Sequence, residues 1–212
     1  FSESLRQEIV AMAENDLAVR KELLADESLN NQGYHPRMEA VHERNASRLA
    51  AIIEQHGWPG KSLVGEDGAR AVWLIVQHAI GNPPFMRQCL LLLKQAASAN
   101  EAPLWHTAML EDRIRMYEGR PQVYGTQFRP DKNGEFTPYT IENPESVNNR
   151  RLAVGLNLIA GLSVYTLNKL LIFSQAAHLA NAEGRALTES ETDMARARYI
   201  RQTLASEGKS IG

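Results

Sequence analysis

The stretch 71–80, Ala-Val-Trp-Leu-Ile-Val-Gln-His-Ala-Ile, leaves a chain few ways to fold. Wound as a helix, it is apolar on every side except at Gln77 and His78. Such a helix belongs in the middle of a core. Its neighbours must then be amphipathic and must surround it. Two adjacent polar side chains at that place need partners or a cavity, because an unpaired buried polar group costs about 1–3 kcal/mol. Gln77 and His78 therefore mark where a site is expected.

The flanking segments supply the surrounding helices. Residues 2–25 read as a helix capped by Ser2, with Leu5, Ile9, Met12, Ala13 and Leu17 at helical spacing. A second helix spans 36–55, opened by Pro36 and followed by Gly57. On it Met38, Leu49 and Ile52 share a face with His42, Asn45 and His56. Gly57-Trp58-Pro59-Gly60 is a rigid turn, and Asp67 is a suitable cap for the central helix. Asn82 and the two prolines after it start a helix over 84–97. In the helix 103–118, Trp105, Ala108, Met109 and Met116 share one face. Asp112 lies in the middle of that face and Arg113 at its border.

Residues 122–128 alternate and are rich in Val, Tyr, Thr and Phe, and 135–141 are extended again. With a turn at Asn133-Gly134, this predicts a β-hairpin. Gln122, Tyr124, Thr126 and Phe128 then point one way, and Val123, Gly125 and Gln127 the other. Asn143-Pro144 begins another helix that weakens near Gly155. An apolar helix is expected over 164–180, and the capping-box spacing from Thr188 opens a charged last helix to about residue 205. The expected fold is mainly α. A single helical domain, 1–182, carries one β-hairpin near 122–141, and 183–212 form a peripheral C-terminal helical extension beyond a break at 184–187.

Composition narrows the function classes. The net charge of −2 with no basic block argues against nucleic acid, which asks for a basic face. No run of 18 apolar residues is present to span a membrane. The charged stretch 1–26 has no signal-peptide pattern, so a cytoplasmic protein is expected. The single cysteine, Cys89, lies in an apolar run and is expected as a buried thiol. A homodimer remains open. No G-x-S-x-G, H-E-x-x-H, P-loop, CxxC or G-x-G-x-x-G motif occurs, so no organic cofactor is expected.

What remains is a set of polar residues on otherwise apolar helix faces: His42, Asn45, Gln77, His78, Asp112 and Arg113. The hairpin adds Gln122, Tyr124 and Gln127. Helices that each turn polar side chains toward a common core make a plausible pocket. A histidine with a carboxylate to fix its tautomer is the minimum for acid–base work near neutral pH. The candidate catalytic residues are His78 as base, Asp112 as its orienting partner and Tyr124 as donor to a developing oxyanion. The candidate substrate-binding residues are Asn45, Gln77, Arg113, Gln122 and Gln127, with Arg113 suited to a carboxylate or phosphate. On this reading the chain is an enzyme without a metal, acting on a small polar or peptide-like molecule. Two alternatives stay open. His42, His78 and Asp112 have the composition of a two-His-one-carboxylate metal site. Or the polar cluster is a structural scaffold inside an interaction or ligand-binding module.

The same stretches carry a resemblance. Gly57-Trp58-Pro59 with Gly65, Gln77-His78-Ala79, Asp112-Arg113-Ile114, Gln122-Val-Tyr-Gly-Thr-Gln127, and Arg150-Arg151 with Gly155-Leu156 resemble the signature of a bacterial domain family of unknown function. The likeness spans roughly residues 38–156, and Tyr124-Gly125-Thr126-Gln127 closes its most specific part. It implies a shared site location and no particular chemistry. It favours Gln77, His78, Asp112, Arg113, Tyr124 and Gln127 over His42, which lies outside these motifs.

Overall fold

A computed structural model describes residues 1–25, 34–130 and 136–159. Among these, six α-helices occur in chain order: α1 Glu3–Ala25, α2 Pro36–His56, α3 Lys61–His78, α4 Pro83–Ser98, α5 Leu104–Tyr117 and α6 Val147–Ala153. Two short strands, β1 Phe128–Pro130 and β2 Phe136–Pro138, pair as an antiparallel hairpin. The fold is mainly α with one hairpin, as expected. No helix among the described residues is long and apolar enough to cross a membrane. The helices expected over 164–180 and 189–205, the break between them, and the Asn133-Gly134 turn lie outside the described residues.

Residues Phe1–Gln127 and Pro138–Asn157 form one compact unit, while Phe128–Thr137 falls in a second. In the first unit α3 is the hub and touches α1, α2, α4 and α5. Val72, Ile75 and Val76 of α3 meet Ile9 of α1, Leu49 and Ile52 of α2, Leu93 of α4 and Leu110 of α5 in one apolar cluster. Each such side chain, fully removed from water, contributes about 1.5–3 kcal/mol. Cys89 is a buried free thiol in that cluster, and burial pushes it up to about 12. The central helix starts earlier than its sequence suggests. It begins at Lys61 and is broken at Gly65, whose φ of 73° is a conformation glycine adopts cheaply.

Polar rungs fix how α1 sits on its neighbours. Glu8 pairs with Arg48, the Asn45 amide donates to the Met12 carbonyl at 3.2 Å, and Asp16 meets His42 at 3.4 Å. As the α1 number rises the α2 number falls, so the two helices are antiparallel. Against α3 the order is reversed. Arg6 grips Asp67 through both carboxylate oxygens, and Asp16 meets His78. Those contacts are ten residues apart on α1 and eleven on α3, about 15–17 Å of helix each. The helices therefore run parallel, side by side, and Asp16 lies where all three meet.

The segment 122–127 departs from the predicted strand. It is a loop wound on Asp112, meeting the returning chain at an isolated parallel bridge between Gln122 and Ile141 and at the bond from the Tyr139 N–H to the Gln127 carbonyl. The reason is competition for backbone donors. Asp112 takes the N–H groups that a strand partner would need. Asn143 precedes not an α-helix but a 3₁₀ turn over Pro144–Ser146, and α6 follows it.

Candidate functional site

Asp16 is fully buried and stands between two histidines. The His78 Nδ1–H donates to both of its oxygens, at 2.9 and 3.0 Å. His42 Nε2 approaches Asp16 Oδ1 at 3.4 Å without forming a hydrogen bond, and that buried nitrogen has no other partner. On its far side the His42 ring is held at Nδ1 by the Tyr34 hydroxyl at 2.5 Å. The two imidazoles lie 5.1 Å apart, tilted by 45°. One ligand atom from each of Asp16, His42 and His78 fits within 4.8 Å of the others.

The electrostatics follow from burial and contact. Burial works to raise the Asp16 carboxyl, but the close approach of His42 and the hydrogen bond and charge of His78 outweigh it and hold the group well below the usual carboxylate range. For His78 burial is the largest influence and lowers it; Asp16 pulls the other way, and His42 and Arg113 add to the lowering. The balance is an ionised carboxylate between imidazoles. Asp16 is wholly covered, whereas 18% of the His78 side chain is exposed. His42 also lines a cavity of about 130 Å³ with Tyr34, Glu39, Glu43, Gly81 and Asn82.

The candidate site predicted from sequence divides. His78 is in this cluster, but its carboxylate partner is Asp16, and the expected His78–Asp112 pair does not form. Asp112 is fully buried and faces the loop. Its oxygens accept the N–H groups of Val123 at 2.7 Å, Tyr124 at 3.0 Å and Thr126 at 2.9 Å. Burial pushes the Asp112 carboxyl up, and those N–H groups oppose it. Arg150 and Arg151 hold the loop's carbonyls in turn, at Val123 and Tyr124, each at 2.7 Å. Gln122 gives its amide to the carbonyls of Gln127 and Tyr139 and takes the Gln127 N–H, so its polar atoms are spent inside the loop. The Gln127 amide donates to Thr126 Oγ1. Tyr124 is half-buried, and burial raises its phenol. Asn45, expected in a pocket, is a rung between α2 and α1.

Gln77 and Arg113 connect the two halves. The Arg113 guanidinium donates through Nη1 to the Gln77 carbonyl at 3.1 Å, while its Nε and both amide atoms of Gln77 are buried without partners. Two members of the His cluster were not foreseen. Asp16 had a readable signal, since it falls at helical spacing from Ile9 and Ala13 on the buried face of α1. Tyr34 had none; it lies outside the helices and gains its place only through His42.

Comparison with known proteins adds a family. The chain is 31% identical over 176 residues to the protein-arginine kinase of Bacillus subtilis (strain 168), covering 77% of this chain and 45% of that protein. It is 28% identical over the same length to the protein-arginine kinase of Bacillus pumilus (strain SAFR-032), with the same coverage. The chain thus spans less than half the length of these curated relatives. A profile described as the protein-arginine kinase McsB C-terminal domain matches residues 139–211. No solved structure matches significantly. A second profile matches residues 3–167, most of the chain, and on that ground the chain belongs to the family of unknown function DUF6624.

Proposed function

We propose that this chain is an enzyme acting on a small polar or peptide-like molecule by proton transfer at the Asp16–His78 pair. The observation that carries this reading is the geometry of His78. Its Nδ1–H is fixed by a buried carboxylate, which leaves the Nε2 lone pair as the proton acceptor. Asp16 acts through His78 as a positioning residue, holding the tautomer and the ring plane. Arg113 and Gln77 are the groups left to bind substrate, because their buried donors are unspent. A carboxylate or phosphoryl group on the substrate suits Arg113. The peptide-like class is supported by relatives named for action on arginine in proteins.

A structural-scaffold reading has one observation in its favour: Asp112 is enclosed and saturated by backbone donors. His78 differs, because it is partly exposed and its partner is a side chain. The test is a mass-spectrometric screen of polar metabolites and arginine-containing peptides, with and without ATP. It compares wild type with His78→Asn and follows the melt of both. Turnover by wild type that vanishes in a folded His78→Asn supports the reading. Full turnover in that variant ends it. A variant that loses stability by about 1–3 kcal/mol, with turnover falling only in step with the folded fraction, moves the assignment to the scaffold.

A further inference from the structure

We infer that Asp16, His42 and His78 form a binding site for a divalent transition-metal cation. Two imidazoles and one carboxylate, brought from three helices, are a ligand set used for zinc and for ferrous iron. Donor atoms around a tetrahedral zinc lie about 3.3 Å apart, given bonds of about 2.0–2.1 Å. His42 Nε2 and Asp16 already stand at 3.4 Å, and all three donors fit within 4.8 Å. Small side-chain rotations complete the triangle.

Three further observations point to a cation. His42 is 8% exposed, and its Nε2 is aimed at Asp16 yet makes no hydrogen bond. A buried polar atom left in that state is costly, and a ligand bond relieves it. The second ring nitrogen of a metal-binding histidine ordinarily donates to an outer partner that fixes its tautomer. The Tyr34 hydroxyl oxygen stands at His42 Nδ1 to accept that proton. The cavity at His42 carries Glu39 and Glu43 on its wall, a negative mouth that draws cations.

Binding changes no proton count. The Nδ1 proton of His78 moves to Nε2, and the Nε2 proton of His42 moves to Nδ1, freeing one lone pair on each ring. Three protein ligands leave a tetrahedral position for water, whose pKa falls toward about 7 on zinc. In the loaded protein the hydroxide formed from that water would accept the proton in place of His78 Nε2, which would then carry the ring proton. The inference rests on the proposed function for the place of the site only.

The test is calorimetric titration of the whole chain with zinc chloride, for wild type, Asp16→Asn, His42→Gln and Tyr34→Phe. Wild type is expected to take up one zinc per chain. Tyr34→Phe should weaken binding by about 10–100-fold, as loss of an outer partner does. The two ligand variants should lose more. X-ray absorption on zinc-loaded wild type reads the ligands without any variant, so a variant that misfolds does not decide the matter. Two imidazole nitrogens and a carboxylate oxygen support the site. A different ligand shell, no binding by wild type, or equal binding by folded ligand variants overturns it. Turnover is not read here, so a failed metal site leaves the His78 reading standing, and a failed screen leaves the metal site standing.

Discussion

Replacing Asp112 by alanine should destabilise the protein by about 3–5 kcal/mol, and the structure says why. Three backbone N–H groups, those of Val123, Tyr124 and Thr126, end on this one side chain. Each buried donor left without an acceptor costs about 1–3 kcal/mol. Three of them give about 3–9 kcal/mol if the loop stays shut. Val123, Tyr124 and Thr126 are only half-buried, so a loosened loop lets water reach some donors and the lower end applies. Asp112→Asn separates charge from geometry. Its oxygen can serve Val123 and Tyr124, but its amide group then faces the Thr126 N–H, donor against donor, at about 1–3 kcal/mol. Urea melts by circular dichroism measure both, and hydrogen exchange locates the change. The amides of Val123, Tyr124 and Thr126 should exchange faster in both variants than in wild type, and faster in alanine than in asparagine. An alanine variant within about 0.5 kcal/mol of wild type, the range of ordinary surface changes, would refute the clamp.

Two further outcomes follow from single positions. His106 is 4% exposed, stacked on Trp73 at 4.3 Å and edge-on to Trp105; burial first, and Arg70 second, lower it to about 4. Its folded value lies below its unfolded value of about 6.5, so the unfolded chain binds the proton more readily. The contribution is full above pH 6.5 and is lost as pH falls toward 4, about 3 kcal/mol in all. The stability difference between wild type and His106→Phe should shrink by that amount between pH 7 and pH 4, and a constant difference would contradict the assignment. Gly125 has a φ of 64°, in the left-handed region. A β-branched residue is strained there by about 1–3 kcal/mol, so Gly125→Val should lower the urea midpoint accordingly, whereas an unchanged midpoint would mean the loop adopts another backbone path.

How much of this was legible in the sequence depends on whether the signal was local. The helices were local. Pro36 opens α2 as its position predicts, and the Asn82 side chain accepts the Phe85 N–H at 3.1 Å as a cap should. The apolar stretch 71–80 did become the hub, although α3 ends at His78 and not at Ile80. The loop 122–127 was misread because β-propensity reports how a side chain suits a pleated surface. It says nothing of a carboxylate ten residues upstream that claims the backbone donors first. Gly125 was the local hint of trouble: a glycine inside a predicted strand, present for its positive φ. Asp16 shows the opposite error. It sits in a strongly charged helix, and surface is the ordinary place for an aspartate. Only its phase with Ile9 and Ala13 marked it as buried.

The residue pairs Gln77-His78 and Asp112-Arg113 acquire a common meaning from this geometry. A polar pair at adjacent positions on a helix points in two directions about 100° apart, so its two side chains face different surroundings. On α3, His78 turns to Asp16 while the Gln77 backbone carbonyl receives Arg113. On α5, Asp112 turns to the loop while Arg113 reaches back to α3. Each pair therefore divides into one member that serves its own cluster and one that ties the clusters together. The sequence pattern alone invited the simpler assumption that all four residues converge. The Arg113–Gln77 bond explains how a loop held by Asp112, Arg150 and Arg151 is mechanically joined to the last turn of α3, the turn that carries His78. It also explains why the unspent donors lie there. Arg113 bridges the two elements through Nη1, and its buried Nε has no hydrogen-bond partner.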